Sequence, residues 1–392
     1  MTNAPIRLHD TVIELLKQAP WKDVRHLNTL AWMVVGLLLS GTIYLSCWIQ
    51  YVQSRARMAQ SIERRFRRWL SNRRIEVEVL YGALLQWILT DTEGRRVVVA
   101  LDTTVLWNRF CVIQVALVCR GRALPLAWEI REKTSASVRF SEYRPVLEQI
   151  AKWLSGWEVV LVADRGFCHV ELLRWVKQQA GWHARIRIKT NVKIYRWTGT
   201  SYQPFNCRVR AGEAAFYHHV YCWQIHEEAH LAVGWEKGAK EPWMILSDDW
   251  ADADTLADYG QRFTIEEGFL DYKSNGFGWE DSKLREGEAL QRLCLVMAVA
   301  TWILICQGST VVDAGLRRRV DPHWRRGLSY ARIGWNWIHY ALNRGEDLIE
   351  RLFLPDSEDP EPVTAVNDRS RWMDPLPQCF HLCLPNSHQA LS

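Results

Sequence analysis

The chain has 392 residues, 48% of them apolar and 24% charged, with a formal net charge of +5. That length supports two or three domains around a large buried core, and that balance is ordinary for a soluble globular protein, which excludes a wholly disordered chain. A net charge of +5 does not by itself argue a nucleic-acid partner, so the placement of the charges matters more than their sum.

Residues 1–90 read as a helical domain, with apolar runs at helical spacing and no strand-like alternation. Leu30–Ile49 carries no charge and is long enough to span a bilayer, but Ser40, Gly41 and Thr42 interrupt it. That triplet predicts two short buried helices with a turn between them; a membrane segment is the other reading. Between Arg55 and Arg74 stand eight arginines against one acid, Glu63. Arg64, Arg65, Arg67 and Arg68 form the centre of this cluster, and a planar guanidinium fork matches a phosphate. DNA contact is the expectation, against a merely solvated helix face.

From Arg95 the character changes. Val97–Leu101 is a continuous apolar run leading into Asp102, as in a buried central strand. Phe110–Cys119 and Ala123–Ile130 are two further strand-like runs, and Arg120-Gly121-Arg122 between them predicts a hairpin. A helix over 142–153, a strand over Glu158–Ala163 leading into Asp164, a helix over 170–179 and a strand over 184–189 complete the pattern. Three strands, helix, strand, helix, strand predict an α/β fold, a mixed sheet with helices on its faces. Both acids fall at strand C-termini, where open α/β sheets place ligand sites.

Residues 191–250 read as a β-rich antiparallel insertion. Helical character returns over 255–273, 287–306 and 328–353, and the tail from Pro355 reads as loosely ordered. The expected domains are thus 1–90, a first part of the α/β core at 91–190, the insertion at 191–250, a second core part with C-terminal helices at 251–353, and a tail at 354–392. The ten cysteines include no C-x-x-C pair, and Cys379, His381 and Cys383 alternate too tightly for a normal zinc site. The N-terminus lacks a basic region followed by an apolar stretch, so no secretory signal is expected, and reduced thiols in a cytoplasmic protein are the simplest account.

The segment from Tyr259 to Lys273 concentrates the chemistry. Taking Tyr259 as zero on a helix of 3.6 residues per turn, Arg262 lies at about −60°, Glu266 at about −20° and Lys273 at about −40°. These four share one stripe, whereas Glu267 at about +80° faces elsewhere. A carboxylate with two cations and a phenol suits metal and phosphate binding, although an Arg262–Glu266 ion pair on a surface helix would look the same.

The spacing Y-x2-R-x3-E-x6-K formed by Tyr259, Arg262, Glu266 and Lys273 resembles the signature of the insertion-sequence-four family of transposases with three catalytic carboxylates. Leu101-Asp102-Thr103-Thr104 is similar to that family's first-aspartate motif and Ala163-Asp164-Arg165-Gly166-Phe167 to its second. The resemblance covers about residues 28–345 of the chain. It implies a ribonuclease-H-like core flanked by helices, with Asp102, Asp164 and Glu266 as catalytic ligands of Mg²⁺ or Mn²⁺, two ions in all. Water would free a 3′-hydroxyl at the element end, and that hydroxyl would attack the opposite strand to form a hairpin and later attack target DNA. Arg262, Lys273 and Tyr259 would hold DNA phosphates. Trp243 would stack in the gap left by a flipped base, with Trp223 and Trp235 as alternatives and a core ring as the ordinary use of any of them. The implied partners are double-stranded DNA carrying terminal inverted repeats, target DNA, and a second copy of the chain in the DNA complex, with no membrane. A transposase-derived DNA-binding protein without catalysis is the rival reading.

Overall fold

The computed structural model describes residues 4–90, 92, 94–189, 191–272, 277–356, 358–362 and 379–383. Five helices come first: α1 (Ala4–Leu16), α2 (Val24–Ser40), α3 (Leu45–Trp48), α4 (Ala59–Leu70) and α5 (Val77–Ile88). Next are β1 (Arg96–Leu106), β2 (Phe110–Cys119), β3 (Arg122–Glu132), α6 (Phe140–Trp153), β4 (Glu158–Ala163), α7 (Val170–Gln178) and β5 (Trp182–Arg187). The strands β6 (Ile194–Trp197), β7 (Tyr202–Phe205), β8 (Glu213–Cys222), β9 (Glu227–Trp235) and β10 (Trp243–Ser247) follow. Then come α8 (Ala253–Gly260), α9 (Phe263–Tyr272), α10 (Gly287–Asp313), α11 (Tyr330–Arg344) and β11 (Cys379–Cys383). The chain divides into two compact units, Met1–Glu93 with Thr103–Ala136 and Thr264–Thr364, and Gly94–Asp102 with Ser137–Phe263 and Ala365–Ser392.

The first unit is mainly helical. α2 is apolar on almost every side because it is buried on almost every side, from Leu30 to Leu38. It stops where the sequence predicts. Gly41 takes a left-handed conformation (φ 69°) and its N–H bonds back to the Leu37 carbonyl, which closes the last turn. The chain then bends by 94° into the short α3 segment. α10 is long and apolar enough to cross a membrane, but 89% of its apolar window is buried inside the protein, as in a core helix. It runs unbroken to Asp313, beyond the end the sequence predicted. α10 and α11 meet backbone to backbone: a methyl group on Gly308 would lie 2.0 Å from the Tyr330 carbonyl oxygen, and one on Gly334 would lie 2.0 Å from that of Leu304. The β2–β3 hairpin also belongs to this unit. Its loop residues Arg120 and Gly121 both have positive φ (48° and 70°), the backbone that a tight two-residue hairpin demands.

The second unit carries the sheet. β1, β4 and β5 run parallel and in register, Leu101 beside Ala163 and Ala163 beside Ile186. Helices α6 and α7 make the crossovers that parallel strands need. Val97–Leu101 and Val159–Ala163 are buried throughout, which explains their continuous apolar runs. The strands expected over 191–250 are antiparallel, and they extend this same sheet: β10 pairs with β5, β9 with β10, β8 with β9, β6 with β8 and β7 with β6. β11, inside the segment read as a loose tail, pairs in parallel with β8. The architecture is the ribonuclease-H-like one expected from the sequence, a mixed sheet flanked by helices with a helical N-terminal region.

One expectation is corrected. The helix predicted across 255–273 is two helices, with a turn at Gln261–Arg262 between α8 and α9. The amides of Gln261 and Arg262 bond to the Asp258 and Tyr259 carbonyls, tighter i→i−3 links that end α8 after Gly260. The unbroken helix assumed for the stripe through Tyr259, Arg262 and Glu266 is therefore interrupted at Gln261–Arg262, and Lys273 lies outside the described residues. Glycine is a poor interior helix residue, and the side chain of Arg262 is drawn inward by the partners described below.

Candidate active site

Asp102 and Asp164 follow the last in-register pair of β1 and β4, Leu101 and Ala163. Neighbouring strands lie about 4.8 Å apart, and residues in register point to the same face. The two carboxylates therefore share one end and one face of the parallel sheet. β1 itself continues to Leu106, so Asp102 lies within its strand, but the ladder with β4 ends at Leu101. The chain turns sharply after Asp164: its carbonyl accepts the Phe167 amide at 2.8 Å, and Phe167 is buried edge-on against Tyr143 with ring centroids 5.3 Å apart. That buried ring anchors the Asp-Arg-Gly-Phe turn and so fixes where Asp164 leaves the sheet.

The surroundings of the two acids differ. Asp102 is half-buried, and Arg262 donates to its Oδ2 from Nη1 at 3.3 Å. Arg262 is 3% exposed, and its Nε donates to the Tyr259 hydroxyl at 3.1 Å. Asp164 is also half-buried, and among the described residues its carboxylate makes no hydrogen bond or ion pair. Tyr259 is fully buried; burial, with Asp164 nearby, pushes its phenol up to about 12 against the opposing pull of Arg262 and Arg187. Two side-by-side hard oxygen donors, one braced and one open, fit a divalent cation such as Mg²⁺ or Mn²⁺.

The sequence reading did not single out Arg187, which occupies the position beside Asp164 on β5 by the register Ala163–Ile186. Its Nη2 lies 2.8 Å from Glu241 Oε1, and Arg165 Nη1 reaches the same oxygen at 3.3 Å. Asp102, Asp164 and Arg187 thus stand in a row across three strands. Only strand register could have found the third, because nothing local marks it.

Trp243 is a core ring, 6% exposed, edge-on to Tyr259 at 5.0 Å and stacked with Phe263 at 5.6 Å. Trp223 lies in the β8–β9 turn with a positive φ of 59°, and Trp235 donates from Nε1 to the Ala239 carbonyl at 3.0 Å. Glu266 belongs to the other unit, on α9, with an exposed side chain, while its neighbour Glu267 pairs with Arg122. Lys273 lies outside the described residues. On α4 the buried residues Ile62, Phe66, Trp69 and Leu70 form one face, which leaves Arg64, Arg67 and Arg68 exposed. Arg67 pairs with Glu63 at 2.6 Å. Arg65 is half-buried; burial lowers its pKa, and among the described residues its Nε and Nη2 make no hydrogen bond.

No curated protein matches the chain. Among solved structures it is similar to a piggyBac transposase synaptic complex with hairpin DNA, at 12% identity and a TM-score of 0.40, covering 87% of this chain and 80% of that one. The family model for the transposase DDE domain matches residues 96–303, a span that takes in β1, Asp102, Asp164 and α9. The chain belongs to the transposase DDE domain family.

Proposed function

We propose that the protein is an insertion-sequence transposase of the insertion-sequence-four family, which cuts its element out and pastes it into target DNA through a hairpin intermediate. The placement of Asp102 and Asp164 just past the end of the parallel β1–β4 ladder, inside a matched span that also holds Glu266, supports this reading. In it, Asp102, Asp164 and Glu266 are the catalytic carboxylates, and two Mg²⁺ or Mn²⁺ ions held by them would supply charge neutralisation at the reacting phosphate. Tyr259 fixes Arg262 and Arg262 orients Asp102, so both act as positioning residues close to the DNA phosphates that the sequence signature assigns them. Arg187 and Arg165 add positive charge beside Asp164, with Glu241 holding them in place. Lys273 is assigned to a phosphate by the signature alone. Trp243 is better placed to support Phe263 and Tyr259 than to leave the core for a flipped base.

The reaction begins with hydrolysis of one phosphodiester at the element end and release of a 3′-hydroxyl. That hydroxyl then attacks the phosphodiester of the opposite strand, closing a hairpin on the element end and releasing the flanking strand's 3′-hydroxyl. A second water hydrolyses the hairpin and restores the 3′-hydroxyl, which attacks a phosphodiester of target DNA and releases a target 3′-hydroxyl. The helical region 1–90 would bind the terminal inverted repeats, and joining two ends calls for a second copy of the chain. The enzyme would work in the cytoplasm, on the nucleoid.

The test incubates the full chain with duplexes carrying the element's ends and Mg²⁺ or Mn²⁺, beside Glu266→Gln. Cleavage at the element tip by the wild type, absent from the variant and without metal, is the expected result. Tight binding with no cleavage in any metal would overturn it in favour of a transposase-derived DNA-binding protein.

The exposed arginines of α4 give a second test. Each phosphate contact contributes about −0.9 to the slope of log affinity against log salt on duplex DNA. Replacing Arg64, Arg67 and Arg68 together by Ala is expected to flatten that slope by about 2–3, read by fluorescence anisotropy across a salt series. An unchanged slope would remove α4 from the DNA interface.

A further inference from the structure

We propose a second metal site, separate from the strand-end aspartates, at which His183, Asp248 and Asp249 bind a Zn²⁺-like divalent ion and staple β5 to β10. The three residues belong to one unit. His183 is the second residue of β5, and Asp248 and Asp249 directly follow Ser247, the last residue of β10. Because β10 runs antiparallel to β5 with Ser247 beside Arg185, the chain past Ser247 returns along the start of β5. His183 pairs with Val160 of β4, four positions before Asp164, or about 13 Å along the strands. The site is therefore not part of the pair at the other end of the sheet.

Geometry makes the case. His183 Nδ1 lies 3.1 Å from Asp249 Oδ2 and 3.4 Å from Asp248 Oδ2, and one ligand atom from each residue falls within 4.8 Å of the others. A tetrahedral ion with nitrogen and oxygen ligands near 2.1 Å separates its ligand atoms by about 3.4 Å. Among the described residues His183 Nδ1 is buried yet makes no hydrogen bond, although both oxygens are near. A proton between nitrogen and oxygen needs alignment that this arrangement does not provide, whereas a cation between the three atoms does not.

The outer oxygens of both carboxylates are already held, which turns the inner ones toward the histidine. Asp248 Oδ1 accepts the Ala184 amide, while Asp249 Oδ1 accepts from Arg185 Nη1 at 2.7 Å and Ser247 Oγ at 2.6 Å. Arg185 Nη2 makes only a long 3.4 Å contact with Asp249 Oδ2. Such outer hydrogen bonds are the supports that metal-binding carboxylates use. The charge balance favours a cation: among the described residues, the four acids Asp248, Asp249, Asp258 and Glu158 pair with two arginines, Arg185 and Arg96, and with the imidazole of His183. The His183 and Asp249 side chains are 31% and 37% exposed, so an ion can reach the cluster from solvent. One imidazole and two carboxylates in a four-coordinate frame select Zn²⁺ over the octahedral, oxygen-only preference of Mg²⁺.

The experiment strips the full chain with chelator, titrates it with Co²⁺ as a spectroscopic probe, and follows Zn²⁺ by calorimetry. The expected result is a tetrahedral visible band that saturates at one Co²⁺ per chain and is bleached by one equivalent of Zn²⁺. His183→Gln and Asp249→Asn should each weaken Zn²⁺ by more than about 100-fold, beyond the range for losing an outer support. Asp164→Asn should leave Zn²⁺ affinity unchanged. Circular dichroism and melting of the metal-free variants check that each is folded, and Zn²⁺ should raise the melting temperature of the wild type but not of His183→Gln. Three outcomes overturn the proposal: no visible band, a strong near-ultraviolet thiolate band assigning the ion to cysteine, or binding that survives in both His183→Gln and Asp249→Asn.

Discussion

Asp102→Asn and Asp164→Asn are each expected to slow DNA strand cleavage at least about 1000-fold, or ~4 kcal/mol of barrier, with DNA affinity nearly unchanged. Each substitution keeps the shape of the side chain and removes the negative charge on which cation binding depends. Their effects on stability should differ. Asp102 is the charged partner of Arg262, whose side chain is 4% exposed, so Asp102→Asn leaves a buried guanidinium with a weaker acceptor. A loss of about 1–3 kcal/mol is expected there. Asp164 has no such partner among the described residues, so Asp164→Asn should stay within about 0.5 kcal/mol of the wild type. Denaturant unfolding beside a cleavage gel reads both. Cleavage that survives in Asp164→Asn would remove this residue from the active site, and an unchanged stability of Asp102→Asn would mean that Arg262 does not depend on it.

Gly308→Ala should be among the most destabilising single-methyl changes available to this chain. The added carbon would lie 2.0 Å from the Tyr330 carbonyl oxygen and 2.8 Å from its carbon, both backbone atoms on α11. Backbone cannot rotate aside as a side chain can, so the helices must separate. Overpacking of this severity costs at least about 3 kcal/mol, roughly 6–12 °C in melting temperature for a unit of this size. Gly315→Ala is the control: its φ is 69° but nothing lies within 4 Å of the added carbon, so only the left-handed strain of about 1–2 kcal/mol applies. Equal melting temperatures for the two variants would refute the close helix contact.

What the sequence made legible was whatever its local pattern encodes. β2 and β4 run over the residues predicted, because a fully buried strand has to be an unbroken apolar run. The break at Gly41 was readable because a left-handed residue at a helix end favours glycine. Asp102 and Asp164 were readable as acids ending such runs, and the strand register then brought them together. The failures are non-local. The stripe from Tyr259 to Lys273 assumed one straight helix, whereas the turn at Gln261–Arg262 is stabilised by Asp102, a residue 160 positions earlier. Arg187 went unnoticed because its importance comes from standing beside Asp164 across two strands. The burial of Trp243 was equally hidden, since a tryptophan looks the same in sequence whether it fills a core or meets a base.

The parallel strand β11 has a consequence for the behaviour of the protein in concentrated solution. β8 is covered on one side by β9, but on its other side β6 reaches only Cys222 and Tyr221, and β11 takes the stretch Ala214–His218. Without β11 that stretch would present a row of unsatisfied amides and carbonyls along a strand rich in aromatic and apolar side chains. An open edge of this kind recruits strands from other molecules. β11 thus covers an edge that would otherwise be open to pairing, and a cut between residues 362 and 379 is expected to increase self-association through the sheet, read by light scattering.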